Sequence, residues 1–163
     1  MADAAAKRAC TPTVFYKDPK AALDWLERAF GFEIAFLVTD DAGNIGHAEM
    51  TFRGCTIGVG GEWAGPQLGG AAMKSPASLG GASSQFIWFE LEADIDGHCE
   101  RARAAGAKIA QEPEDQFYGA RIYRALDPEG QVWCFRQEVR SLTVDQMEAA
   151  SGLKNVSKPP SDR

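Results

Sequence analysis

Histidine is scarce in this chain: His47 and His98 are the only two in 163 residues. A histidine-rich metal centre is therefore excluded. The four cysteines, at positions 10, 55, 99 and 134, form no C-x-x-C pair. Nothing marks the chain for export, so they read as reduced thiols rather than disulfides. Long apolar runs are also missing. No stretch approaches the ~20 residues of a membrane helix, and the opening MADAAAKRAC has no apolar signal-peptide segment. A cytoplasmic protein with no membrane partner is expected. Basic residues are outnumbered, 17 Lys and Arg against 23 Asp and Glu, which leaves a net charge of −6. Gripping a phosphate backbone needs the opposite balance, so nucleic acid is excluded as the main partner. The surplus acid serves solubility.

What remains is an ordinary soluble balance, 45% hydrophobic and 25% charged. The length suits one domain, or two small halves that share a core. Thr11–Tyr16 alternates and is rich in β-formers, the pattern of a strand. Asp18 then caps a helix with Pro19 in its first turn. Ala22, Leu23, Leu26, Ala29 and Phe30 give that helix an apolar stripe, and Gly31 ends it. Strands follow at Phe32–Thr39, Ile45–Phe52 and Cys55–Gly60, with DDAGN as the first hairpin turn. The segment from Gly61 to Ser84 is rich in Gly, Ala, Ser and Pro and is read as a linker or flap. The order then repeats. A strand at Gln85–Glu92 leads to a helix capped by Asp94 or Asp96 and ended by Gly106. Strands at Lys108–Glu112, Arg121–Leu126 and Val132–Arg136 complete it. A last short helix is capped by Thr143 with Gln146 three residues on, and NVSKPPSDR reads as a disordered tail.

The chain thus divides into an N-terminal extension (1–10), a first βαβββ module (11–60), the linker (61–84), a second βαβββ module (85–140) and a C-terminal helix with its tail (141–163). The repeat also shows in the residues. ERAFGFEI at 27–34 matches ARAAGAKI at 102–109 in four positions, including Gly31 and Gly106.

YKDPKAALDWLERAFGF, DIDGHCERARAAGA and YGARIYRALDPEGQVWCF resemble the vicinal oxygen chelate superfamily. That superfamily includes glyoxalase I, extradiol dioxygenases, fosfomycin-resistance enzymes and bleomycin-binding proteins. The resemblance spans about residues 11–139 and is most like the glyoxalase-like proteins of unassigned substrate. It implies an α+β fold in which two tandem βαβββ modules form a partly open mixed β-barrel with the helices outside. The ligand would lie on the concave side, and the protein would be a homodimer. By the same resemblance, the metal-ligand slots of the family fall on Thr11, Gly58, Phe86 (with Gln85 or Ser84 as the alternative) and Cys134. The first three are not competent ligands, and one thiol alone cannot assemble a site. Gln131 replaces a histidine often seen in this stretch. No cofactor is expected; a divalent metal at another place is the alternative.

Strand alternation assigns the remaining candidates. Thr13 and Phe15 on the first strand, Phe86, Trp88 and Glu90 on the fifth, and Cys134 on the eighth should face the cavity. So should His47 and Glu49, with Ala48 and Met50 on the helix side, and Arg121 and Tyr123, with Ile122 and Leu126 on the helix side. Arg121 is the expected partner of Glu90. Trp63, with Phe117 or Tyr118, lies in a loop that can close over a ligand. His98 is expected at the outer surface of the second helix, and Cys99 in its packing face.

Two functions follow from different classes. The first is a metal-free protein that binds a small planar or aromatic molecule through Thr13, Phe15, Trp63, Phe86, Trp88, Glu90, Arg121, Tyr123 and Cys134. The second is a glyoxalase-type lyase or isomerase, in which a relocated metal, or His47 or Glu49 as base, does the chemistry. Cys134 as a nucleophile would need a lowered pKa, and no basic neighbour is evident in the sequence.

Overall fold

The structure is a computed structural model that describes residues 10–154. The extension through residue 9 and the NVSKPPSDR tail lie outside the described residues. Strand β1 (Thr13–Tyr16) runs into helix α1 (Pro19–Phe30). The Asp18 carboxylate accepts from the Ala21 amide at the helix start. Gly31, at φ 78°, ends it in the left-handed conformation that only glycine adopts without penalty. Strands β2 (Glu33–Thr39), β3 (Ile45–Phe52) and β4 (Cys55–Gly61) complete the unit. Asp40 fixes the first hairpin by accepting from the Ala42 and Asn44 amides.

The connecting segment is more ordered than its composition suggests. It holds a two-stranded hairpin, β5 (Trp63–Ala64) with β6 (Ala72–Met73), and two 3-10 turns at Pro66–Leu68 and Pro76–Leu79. Glu62 organises it, accepting from the Ser75 amide and from Lys74. These side-chain bonds replace a core, which is why apolar periodicity gives no sign of them. The second unit follows with β7 (Phe86–Leu91), α2 (Ile95–Ala104), β8 (Lys108–Asp115), β9 (Ala120–Leu126) and β10 (Val132–Glu138). Helix α3 (Val144–Ser151) carries the expected capping box between Thr143 and Gln146. Strand β1 starts two residues later than expected and β8 ends three later, at Asp115.

Each unit forms its own four-stranded sheet. The orders are β1-β4-β3-β2 and β7-β10-β9-β8, and in each the first pair is parallel and the rest antiparallel. The repeat read from the sequence is thus a repeat of topology. The fold is α+β, with two open sheets and no closed barrel.

The sheets are joined by a common core on their helix-bearing sides. Phe30, the last residue of α1, stands at its centre. Its ring lies 5.1 Å from Trp25, 5.6 Å from Trp133 and 4.7 Å from Phe135. Trp25 donates its indole N–H across the units to the Ala105 carbonyl at 2.7 Å. Each sheet therefore spends one face on this core and leaves the other open.

His98 belongs to the core, which overturns its expected place at the surface. On α2 the buried residues are Ile95, His98, Cys99 and Ala102, a spacing of three, four and seven that marks one helix face. His98 is polar but in phase. Its Nδ1 lies 2.6 Å from the Tyr123 hydroxyl and its Nε2 3.1 Å from the Phe30 carbonyl. Since the carbonyl can only accept, Nε2 carries the proton and Nδ1 accepts from Tyr123. Burial, followed by the nearby Arg101, pulls the histidine pKa down to about 4, so the ring is neutral. Cys99 packs beside it as expected, with its thiol pushed up to about 11 by burial.

A second polar knot ties the units together at the DPEG turn. The buried Asp127 carboxylate accepts from the Tyr16 hydroxyl at 2.6 Å and the Trp133 indole at 3.1 Å. Its other oxygen takes the Glu129 and Gln131 amides. Glu129 in turn accepts from the Lys17 and Asp18 amides, and Gln131 donates to the Phe15 carbonyl at 2.9 Å. Gln131 is therefore a structural link between units.

Candidate functional site

The open face of the second sheet is set by its register. Cys134 lies between Trp88 on β7 and Arg124 on β9, and Arg136 lies between Glu90 and Ile122. In-register residues share a face and alternate along each strand. Phe86, Trp88, Glu90, Cys134, Arg136 and Arg124 therefore share the open face. Phe89, Tyr123, Trp133 and Phe135 share the core face. This places Phe86, Trp88, Glu90 and Cys134 as expected and reverses β9.

Tyr123 and Arg121 are on the helix side. Tyr123 is fully buried against His98 and Phe135. Arg121 binds both carboxylate oxygens of Asp96 on α2, at 3.0 and 2.8 Å, and Asp115 at 2.9 Å. The expectation that these two line the cavity is overturned, and so is the pairing of Glu90 with Arg121. The reason is tertiary. An arginine held by two carboxylates, and a tyrosine that satisfies a buried histidine, can both face a core, so polarity alone misreads the phase. The true partner of Glu90 is Arg136, whose Nη1 lies 2.8 Å from each carboxylate oxygen.

The reversal reveals one residue that the sequence reading passed over. Arg124 now faces the open side, bonded to Gln111 Oε1 and to the Cys134 thiol. Tyr118, on the β8–β9 turn, lies within electrostatic reach of Cys134, Arg124, Arg136 and Glu90. A signal for Arg124 was present. Counting back from the Asp127–Gln131 turn, which closes β9 onto β10, sets Arg124 opposite Cys134. The thiol itself is completely covered, and burial raises its pKa. It is a weakly acidic, inert thiol rather than an activated nucleophile.

The first sheet presents Thr13 and Phe15 on β1, with Gly58 and Gly60 directly across on β4. A Cβ on Gly58 would lie 2.5 Å from Thr13 Oγ1. Glycine there lets the threonine lie over the neighbouring strand. His47 and Glu49 are two apart on β3, with His47 Nε2 3.6 Å from Glu49 Oε1. The Phe36 ring lies 6.3 Å from the His47 ring, and Phe36 is 52% exposed. Trp63 sits on β5, paired with Met73 and 39% exposed.

The family's metal slots do not fit a metal here. Gly58 offers no side chain, Phe86 no donor atom, and Cys134 is a covered, protonated thiol. Strand register sets Thr13, not Thr11, across from Gly58, and Trp88, not Phe86, across from Cys134. Among the described residues, no group of three or more His, Cys, Asp or Glu side chains converges in a way that could hold an ion.

Comparison with known proteins places this geometry. The family model described as "Glyoxalase/Bleomycin resistance protein/Dioxygenase superfamily" matches residues 9–135. The chain is 31% identical over 143 residues to the Mycobacterium bovis protein Mb0911c, itself uncharacterised, covering 87% of this chain and 91% of that one. TioX from Micromonospora sp. ML1 superposes with a TM-score of 0.63 at 30% identity, over 80% of this chain and 99% of TioX. FosX, a fosfomycin resistance protein of Listeria monocytogenes whose structure holds Mn(II) and sulfate, shares the fold. Its TM-score is 0.57 at 16% identity, over 88% of this chain and 96% of FosX.

Proposed function

Because the chain belongs to the glyoxalase/bleomycin resistance protein/dioxygenase superfamily, we propose that it binds a small planar or aromatic molecule on the open faces of its sheets without the usual metal centre. The observation that carries this reading is the pair Phe86 and Trp88. They stand 51% and 39% exposed, side by side with ring centroids 6.2 Å apart, on a sheet face whose metal slots are a phenylalanine and a covered thiol. Large aromatic surface left in water is unfavourable at roughly 25 cal/mol per Å². Exposed contiguous rings therefore mark a face that something covers. Thr13 and Phe15 supply the matching face on the first sheet.

In this reading a second copy of the chain closes over the open faces. Each sheet's inner side is already consumed by the common core, and Phe36, Leu37 and Val38 on β2 add exposed apolar area. The working form is a homodimer in the cytoplasm. No helix of the described residues is long and apolar enough to cross a membrane.

A second reading rests on the His47–Glu49 pair, which has the arrangement of a general base and its orienting carboxylate. It makes the protein a lyase or isomerase. The two readings are separated by metal analysis of the purified protein together with Trp88 fluorescence against an aromatic compound. Micromolar quenching with no stoichiometric metal supports the binding protein. Stoichiometric Zn, Ni, Fe or Mn refutes it, and turnover of a 2-oxoaldehyde–thiol adduct that is lost in His47→Ala establishes the enzyme.

A further inference from the structure

By strand phase the open face of the second sheet carries charge of both signs: Arg124, Arg136 and Lys108 with Glu90, Glu114 and Glu138. Glu90 is already engaged by Arg136 through both its oxygens. Arg124 has no carboxylate within ion-pair distance among the described residues; its side-chain partners are the neutral Gln111 and the Cys134 thiol. An arginine left this way presents free N–H donors in a planar fork that matches a carboxylate, sulfonate or phosphate.

The strand register fixes where that fork lies relative to the rings. Cys134 is the cross-strand neighbour of both Arg124 and Trp88. The two side chains therefore rise from backbones about 10 Å apart, two strand spacings, with a small residue between them. Tyr118, on the β8–β9 turn, lies within electrostatic reach of Arg124 and Arg136. An aromatic ring stacked on Trp88 and Phe86 would set a substituent one ring-width away over Cys134, within reach of Arg124.

From this placement we infer that the ligand is an aromatic acid, its ring on Trp88 and Phe86 and its anionic group on Arg124. The inference rests on the binding reading above and names the chemical class of the ligand.

The test uses one ring system with and without an acid: 8-anilinonaphthalene-1-sulfonate and the neutral N-phenyl-1-naphthylamine, titrated by fluorescence against the full chain. The sulfonate is expected to bind at least about tenfold more tightly, the ordinary worth of one charge-assisted contact. Arg124→Gln should remove that advantage and leave the neutral probe unchanged, and Arg124→Lys should restore part of it. Trp88→Ala should weaken both probes. Arg28→Gln, an equal change in net charge on the exposed side of α1, should alter neither, and circular dichroism confirms that each variant is folded. Equal affinity of the two probes, or a sulfonate affinity indifferent to Arg124→Gln, overturns the aromatic-acid inference and leaves the binding reading standing. Probe binding that ignores Trp88→Ala, or no binding of either probe, overturns both.

Discussion

Acidification from pH 7 to pH 5 should destabilise this protein through one buried ring, that of His98. In the folded chain its pKa is held near 4, chiefly by burial and then by Arg101, against opposing pulls from the hydrogen bond to the Phe30 carbonyl and from Asp94. In the unfolded chain it returns to about 6.5. The folded value is the lower one, so the unfolded state takes up the proton first. The stability His98 contributes is complete above pH 6.5 and is lost as pH falls toward 4. Linkage over that window gives a loss of about 2 kcal/mol by pH 5 and about 3 kcal/mol by pH 4. The structural event is specific. A proton on Nδ1 meets the Tyr123 hydroxyl at 2.6 Å, which then loses its acceptor inside the core. With a urea slope of about 2 kcal/mol per molar, the unfolding midpoint should drop by about 1 M between pH 7 and pH 5. His98→Gln keeps a donor and an acceptor but cannot titrate, so its midpoint should fall by less than a third as much. Asp127, raised by burial, works with the opposite sign, and Asp40, Asp96 and Glu62, lowered by their hydrogen bonds, act below their ordinary range. All four are present in both proteins and cancel in the difference. A wild-type midpoint flat from pH 7 to pH 5, or an equal fall in His98→Gln, would refute the reasoning.

Three further outcomes are expected. Tyr16→Phe deletes the 2.6 Å bond to Asp127 that joins the two units, and a charge-assisted bond of this kind should cost about 1.5–3 kcal/mol in urea unfolding; a change under about 0.5 kcal/mol would show the knot to be dispensable. Gly130→Ala places a Cβ at φ 87° and 3.3 Å from the Pro76 side chain, so it should lower stability by about 1–2 kcal/mol, read by thermal melting. His47→Ala, on a half-exposed side chain remote from the core, should leave the binding of an aromatic probe within about twofold of the wild type, whereas a larger loss measured by Trp88 fluorescence would favour the enzyme reading.

The two units were legible in the sequence because their signals are local. Asp18–Pro19, Gly31, DDAGN and DPEG encode caps and turns through backbone preference, and apolar alternation sets the faces of β1, β3, β7 and β10. The open face of the second sheet was legible where that alternation is clean, at Phe86, Trp88 and Cys134. It failed on β9, where Arg121, Tyr123 and Arg124 are all polar or amphipathic and give no phase. It failed again at His98, a polar residue in an apolar stripe. In both cases the deciding partners, Asp96, Asp115 and the Phe30 carbonyl, lie on other elements, whose placement the strand's or helix's own residues do not encode.

By itself, then, the sequence determined the order of elements and the repeat, because each depends on residue type at a fixed position. Tertiary structure alone decided which arginine faces the core. It paired Glu90 with Arg136, placed a neutral histidine between two units, and set Arg124 across Cys134 from Trp88, bonded to Gln111. Those outcomes depend on which groups meet in space, and a buried polar side chain is tolerated only where its partner has been brought to it.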